Sequence, residues 1–165
     1  MGYFVTGATG FIGRFLVTNL LLKRKGPVHV LVRKDSMKKL EAIGRKMGWD
    51  MKRVVAVEGD MTRANCGVAP ARIKTLQGTV KHFFHLAAIY DLTASAEAQR
   101  AANIDGTAHA LDLAAAIKAG CFHHTSSIAA AGLYPGIFRE DMFEEAEGLD
   151  DPYLRTKHES EGLVR

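Results

Sequence analysis

The segment Thr6-Gly7-Ala8-Thr9-Gly10-Phe11-Ile12-Gly13 most constrains what this chain can fold into. An apolar run, Tyr3-Phe4-Val5, precedes it, and an amphipathic stretch from Phe11 to Lys23 follows. That order reads as a strand, a tight glycine turn and a helix N-terminus. The three glycines have different tasks. Gly7 permits the sharp turn, Gly10 lets backbone approach a phosphate, and Gly13 lets the helix lie against the strand. The free N–H groups and dipole of a helix start suit a pyrophosphate. Gly7, Thr9, Gly10, Phe11, Ile12 and Gly13 are therefore candidate contacts to a dinucleotide. A glycine-rich turn without a ligand is the competing reading, and the downstream residues weigh against it.

Strand and helix patterns alternate along the rest of the chain. Val28 to Val32 is a second apolar strand after Gly26-Pro27. Residues 38–47 have helical spacing, with Leu40, Ile43 and Met47 on one face. Residues 54–57 form strand three, 71–76 a short helix and 80–86 strand four. Residues 94–119 read as one long Ala-rich helix stopped by Gly120. Residues 121–126 are strand five, and a last helix begins at Tyr153. This alternation predicts an α/β fold, a doubly wound parallel sheet of Rossmann type. At 165 residues and 47% hydrophobic, the chain fits one domain with a packed core.

Bulk properties narrow the classes. The net charge of +4 is mild and unclustered apart from residues 23–25 and 34–39. Nucleic acid is not required, since phosphorylated small molecules attract the same cations. Cys66 and Cys121 provide neither a disulfide framework nor metal spacing, which fits a reducing, cytoplasmic setting. His82, His85, His123 and His124 flank strands four and five without an acid or cysteine at ligand spacing, so no metal is expected. Trp49 reads as a surface or helix-end aromatic, and Phe83, Phe84 and Phe122 as core. No apolar run approaches the roughly 18–20 residues of a membrane span. Residues 137–151 form a long acidic loop, a feature that is often functional.

The chemistry sits at the strand ends. Twenty residues after Gly13, where an acid would hold a free ribose 2′-hydroxyl, stands Arg33, followed by Lys34. A guanidinium suits a 2′-phosphate, so the cofactor expected is NADPH; two ordinary surface cations are the alternative. Asp60 after strand three is placed to accept from an adenine amino group, with Met61 packing on the ring. An Asp capping the next turn is its rival. Leu86, Ala87 and Ala88 end strand four with residues mostly small enough to pass close to a cofactor ribose and nicotinamide. Ser127 follows strand five. Tyr153 and Lys157 are i and i+4 on a helix and so share a face. An ammonium beside a phenol stabilises phenolate, which lets the phenol exchange a proton with a carbonyl oxygen at neutral pH. Lys157 can also bond the nicotinamide ribose, and Ser127 a substrate oxygen. Asn103, a poor helix former, could organise a water near Lys157, or could simply be solvated.

Taken together, TGATGFIG (6–13), GDM (59–61), HLAA (85–88), NIDGT (103–107), SSIAAAG (126–132) and YLRTK (153–157) resemble the extended short-chain dehydrogenase/reductase superfamily. YFVTGATGFIGRFL, HFFHLAAIYD and the stretch from HHTSSIAAAG to YLRTKHESE are more specifically similar to the N-terminal part of bacterial fatty acyl-CoA reductases with two reductase domains. The resemblance implies an NADPH-dependent reduction of long-chain acyl-CoA or fatty aldehyde to fatty alcohol. It also implies Ser127, Tyr153 and Lys157 as catalytic residues, with Asn103 in support. Ser127, five residues before Gly132, fits the family's serine better than Ser126 does. Members are far longer, and the last residue follows Lys157 by only eight. The chain is thus expected to be a truncated Rossmann domain over residues 1–165 that lacks the substrate-binding part, with an exposed sheet edge inviting association. Two other readings keep the same core motifs. One is an extended reductase acting on a sterol, flavonoid or nucleotide-sugar carbonyl. The other is a non-catalytic NADPH-binding module.

Overall fold

The computed structural model describes residues 1–89 and 94–165. Tyr90 and Asp91, quoted in the resemblance above, lie outside them. Five parallel strands form one sheet: β1 (Gly2–Thr6), β2 (Val28–Val32), β3 (Val54–Glu58), β4 (Val80–His85) and β5 (Cys121–His124). Their order is β3-β2-β1-β4-β5. The chain leaves β1 toward β2 and β3, then crosses over to β4 on the other side. That reversal opens a crevice beyond the C-terminal ends of β1 and β4, where ligands of such sheets bind.

Side chains alternate across each strand, so β1 feeds two cores. Phe4 points to one face with Val57, Leu76, Phe83, Leu113 and Ile117. Val5 points to the other with Val17, Leu20, Val30, Leu40 and Trp49. The helices α1 (Phe11–Lys23) and α2 (Met37–Met47) supply Val17, Leu20 and Leu40 to the second core. On the opposite face, α3 (Pro70–Leu76) supplies Leu76. Helices on both faces make the sheet doubly wound, as the sequence pattern predicts.

Trp49 follows the C-cap of α2, at the helix end as the sequence suggests, but it does not lie on the surface. It is buried in the second core, and its indole N–H donates to Thr18 Oγ1 at 2.8 Å. A buried indole needs such an acceptor, and α1 provides one. The long helix departs from expectation. It divides into α4 (Ala96–Arg100), a π-helical turn (Ala101–Asp105) and α5 (Gly106–Ala116). It ends before Gly120, with Lys118 taking the positive φ of 52°. Gly120 instead lies against strand β4, where a Cβ would stand 2.9 Å from the Lys81 carbonyl oxygen.

The acidic loop is anchored. Leu133 N–H donates to the Glu147 carbonyl at 2.6 Å, Met142 is buried, and the Phe143 ring stacks on His158 at 4.2 Å. The last helix, α6 (Pro152–Gly162), starts on Asp151, whose carboxylate accepts from the Tyr153 and Leu154 amides at 2.8 and 3.1 Å. Among the described residues no helix is long and apolar enough to cross a membrane.

Candidate cofactor and active site

The glycine turn is shaped by contacts that leave no room for side chains. Gly7 has φ of +70°, and a Cβ there would stand 2.8 Å from the Ala87 amide nitrogen. A Cβ on Gly13 would collide with the Gly7 carbonyl and stand 2.6 Å from Ala8 Cα. Helix α1 is therefore pulled onto the turn, and the turn onto the exit of β4. Gly10 caps α1 without a side-chain hydrogen bond, and no acid lies in the first turn. The amides of that turn are left for a ligand of opposite charge. The side chains of Phe11 and Ile12 at the helix start are exposed.

A cavity of about 390 Å³ opens beside this turn. Of the residues singled out in the sequence, Gly7, Thr9, Arg33, Asp60, Met61, Ala87 and Ala88 line it. Gly10, Phe11, Ile12, Gly13, Lys34 and Leu86 do not, nor do Tyr153 and Lys157. The sequence reading missed Ser36, Lys39, Thr62, Ile89 and Ala102 in the lining. Lys34 starts a short 3-10 turn over Lys34–Ser36, and the first turn of α2 then carries Lys39 into the wall. The basic run at residues 34–39 held this signal; only its phase was hidden. Asp60 accepts from the Thr62 amide and hydroxyl at 2.9 and 2.8 Å, which holds its carboxyl below the usual carboxylate range. It caps its own turn and lines the cavity as well. Glycine cradle, uncapped helix start and the cations Arg33 and Lys39 in the cavity lining together fit a dinucleotide carrying phosphate.

A buried hydrogen-bond chain runs from β1 to the π turn. Thr6 Oγ1 accepts from the Leu86 and Ala87 amides, each at 3.2 Å, so its hydroxyl hydrogen goes to His85 Nδ1 at 2.9 Å. The imidazole proton then sits on Nε2, which donates to Thr107 Oγ1 at 3.1 Å. Thr107 donates in turn to the Asn103 carbonyl at 2.6 Å. Burial, with the Lys157 charge adding to it, pushes His85 down to about 3, so the ring is neutral. Asn103 is buried rather than solvated. Its Oδ1 accepts from the Ile89 amide at 2.8 Å, and its Nδ2 donates to the Ile89 carbonyl and to Thr156 Oγ1, each at 3.2 Å. It ties the exit of β4 to α6.

The remaining candidates lie on the exit of β5 and on α6, which meets that exit. Ser127 accepts from the Ala129 amide at 3.2 Å at the head of a 3-10 turn over Ile128–Ala131. That contact leaves its hydroxyl hydrogen for another acceptor. Lys157 on α6 is buried, and its ammonium donates to the Thr125 carbonyl at 3.2 Å, two residues before Ser127. Burial lowers its proton affinity, and Glu161 acts against that. Tyr153 is half-buried one turn earlier on the same helix face. A second cavity of about 390 Å³ has Ser126, Ser127, Ile128, Phe138, Glu161 and Arg165 in its wall.

One cluster corrects the sequence reading. His82, His123 and Cys121 present ligand atoms within 4.8 Å of one another, because the register pairs His82 with Cys121 and Phe84 with His123. Cysteine therefore does accompany the histidines, in space rather than in sequence. The imidazoles already bond each other, His82 Nδ1 to His123 Nε2 at 2.9 Å, and Lys81 and Arg24 place positive charge beside them.

Fold and site together define an NAD(P)-binding Rossmann domain of the extended short-chain dehydrogenase/reductase type. The chain belongs to the family described as male sterility protein, whose sequence profile matches residues 5–165. It is 30% identical over 173 residues to a linear gramicidin synthase polypeptide of Brevibacillus parabrevis, covering 97% of this chain and 3% of that protein. It is 30% identical over 131 residues to a candidate fatty acyl-CoA reductase of Drosophila melanogaster, covering 70% of this chain and 25% of that one. Among solved structures, the terminal R domain of the myxalamid PKS-NRPS pathway superposes with a TM-score of 0.83 at 27% identity. That match covers 99% of this chain and 44% of the R domain. An NAD-bound UDP-glucose-4-epimerase from Stenotrophomonas maltophila shares the fold, with a TM-score of 0.74 at 23% identity. The chain thus spans less than half the length of these relatives.

Proposed function

We propose that this chain is the cofactor-binding part of an NADPH-dependent reductase that takes a long-chain fatty acyl-CoA or fatty aldehyde to the fatty alcohol. The observation that carries the reading is the Lys157–Thr125 bond, which brings α6, with Tyr153 one turn before Lys157, to the β5 exit two residues ahead of Ser127. The cradle around Gly7 and the uncapped start of α1 would hold the pyrophosphate. Arg33 and Lys39 would flank the 2′-phosphate, which favours NADPH over NADH. NADPH held there would supply the hydride that the carbonyl carbon receives. Ser127 donates its free hydroxyl hydrogen to the carbonyl oxygen and fixes its position. Tyr153 gives that oxygen a proton as negative charge develops on it, and the Lys157 ammonium stabilises the phenolate left behind. With a thioester, the product of one such round expels the thiol to give an aldehyde, which a second round takes to the alcohol.

The kinship with peptide-synthetase reductase domains supports a second reading, in which the thioester is a peptidyl or aminoacyl group on a carrier protein. Both readings use the same residues. The test assays the full-length protein with NADPH and either palmitoyl-CoA or a carrier-bound aminoacyl thioester. Turnover of the first alone supports the fatty acyl reading, and turnover of the second alone supports the other. Tyr153→Phe should lower kcat by roughly 10²–10⁴-fold while sparing NADPH affinity. Undiminished reduction by that variant would refute the proton-donor assignment.

A further inference from the structure

Two adjacent residues at the β5 exit are held by two residues one turn apart on α6. Lys157 Nζ donates to the Thr125 carbonyl, and Ser126 Oγ donates to Glu161 Oε2 at 2.5 Å. Lys157 and Glu161 are i and i+4, so they share a helix face and bracket the segment that leads into Ser127. His158, on the same helix, meets the Ala130 carbonyl at 3.0 Å through Nδ1, within the turn that Ser127 heads. Arg165 steadies the Glu161 carboxylate from its other side, Nε to Oε1 at 2.8 Å. Glu161 lines the same cavity as Ser127, yet no step of the mechanism above uses it.

We infer that Glu161 is a positioning residue, which clamps the Ser127 turn to α6 through Ser126 and sets a carboxylate one helical turn from the Lys157 ammonium.

The charge matters because Lys157 is buried, and the histidines beside it carry no charge that would help it. From β4 and β5 it faces His85 and His124, both driven neutral chiefly by burial, to about 3 and about 4. His124 also feels the Glu161 charge, and neither of its ring nitrogens has a hydrogen-bond partner among the described residues. Burial lowers the proton affinity of Lys157, and Glu161 is the anion that counters it. Its own carboxyl is held below the usual carboxylate range against the opposing effect of burial, by hydrogen bonds from Ser126 and Arg165 and by the Arg165 charge. It therefore stays ionised wherever the reductase works. A phenolate forming on Tyr153 needs a charged neighbour, so an anion that keeps Lys157 protonated extends the working range toward alkaline pH.

The inference rests on the reductase reading, so its test has one arm that activity does not enter. In the full-length protein, Glu161→Gln, Glu161→Asp and Ser126→Ala are compared with wild type. Lys157 is followed directly by ¹³C-methyl NMR after reductive methylation, assigned through Lys157→Arg. Glu161→Gln should move the Lys157 titration down by about one pH unit and bring the alkaline loss of kcat/KM down with it. Glu161→Asp should restore most of both. Ser126→Ala, which keeps the carboxylate, should lower kcat roughly tenfold, with little change in NADPH affinity or in the alkaline limb. An unmoved Lys157 titration in Glu161→Gln, or a shift in NADPH affinity matching the loss of kcat, would overturn the inference. A moved titration in a protein that reduces nothing would instead leave the clamp standing and remove the reductase reading.

Discussion

At the scale of single residues, the proposed preference for NADPH turns on which cations reach the cavity wall. Arg33 is exposed and only 3.8 Å from Asp35, an ion pair that solvent screens to a small contribution. Its guanidinium is free to turn toward a phosphate. Lys39 joins it in the wall, whereas Lys34 does not. A charged hydrogen bond to phosphate contributes about 1.5–3 kcal/mol, so Arg33→Ala and Lys39→Ala should each weaken NADPH binding by roughly tenfold or more. NADH, which lacks the 2′-phosphate, should be nearly unaffected, and Lys34→Ala should change neither. Calorimetric titration of the full-length protein with both nucleotides checks this. Equal losses for NADPH and NADH would mean that these cations shape the site without reading the phosphate. Sequence reasoning reached Arg33 because the spacing from Gly13 is set by a fixed strand–turn–helix–strand length. It missed Lys39 because a 3-10 turn over Lys34–Ser36 resets the helical phase, and no propensity marks that turn.

At the scale of elements, the informative departure is the π turn inside the Ala-rich helix. Eleven of the residues from 94 to 119 are alanine, and their uniform propensity gave no reason to break the helix. The break has a tertiary cause. The carbonyl of Asn103 takes a bond from Thr107, while its side chain clasps both backbone groups of Ile89 and reaches Thr156. Such π turns recur where a side chain must be aimed. Thr107 is the hinge of this arrangement, since it accepts from His85 and donates to Asn103. Thr107→Val keeps the shape and removes both bonds, leaving a buried imidazole N–H without an acceptor. The cost should be about 1–3 kcal/mol, seen as a lower midpoint in urea with an unchanged slope. A midpoint equal to wild type would mean that water replaces the hydroxyl. Strands, by contrast, were legible almost residue for residue. Apolar runs of five or so residues bounded by Gly, Pro and Asp leave little choice of element. Only β4 and β5 ended early, at His85 and His124, where the chain turns away to form the crevice.

At the scale of the whole molecule, the fold stores a set of neutral histidines that makes its stability depend on pH. His29 and His124 are pushed down to about 4 and His85 to about 3, in each case chiefly by burial; Arg72 adds to it at His29 and Lys157 at His124. In the unfolded chain these rings would titrate near 6.5. Below that value the unfolded state binds protons that the folded state refuses. Stability therefore rises with pH through this window and falls as the medium is acidified from about 6.5 toward 4. His85, the most deeply buried, contributes close to 1.4 kcal/mol per pH unit once its unfolded form is charged. His29 and His124 act in the same direction. The carboxylates held low, Asp60 and Glu161 among them, also lose stability on acidification, but only at the lower pH where they themselves take up protons. The two windows can thus be separated. Urea unfolding of the full-length protein at pH 7, 6 and 5 should show a falling midpoint. His85→Gln should lower the midpoint at pH 7, because the bonds to Thr6 and Thr107 are disturbed, yet flatten its dependence on pH by roughly one proton. Parallel curves for variant and wild type would show that His85 gains its proton as readily folded as unfolded, and would contradict the neutral ring on which the chain from Thr6 to Asn103 depends.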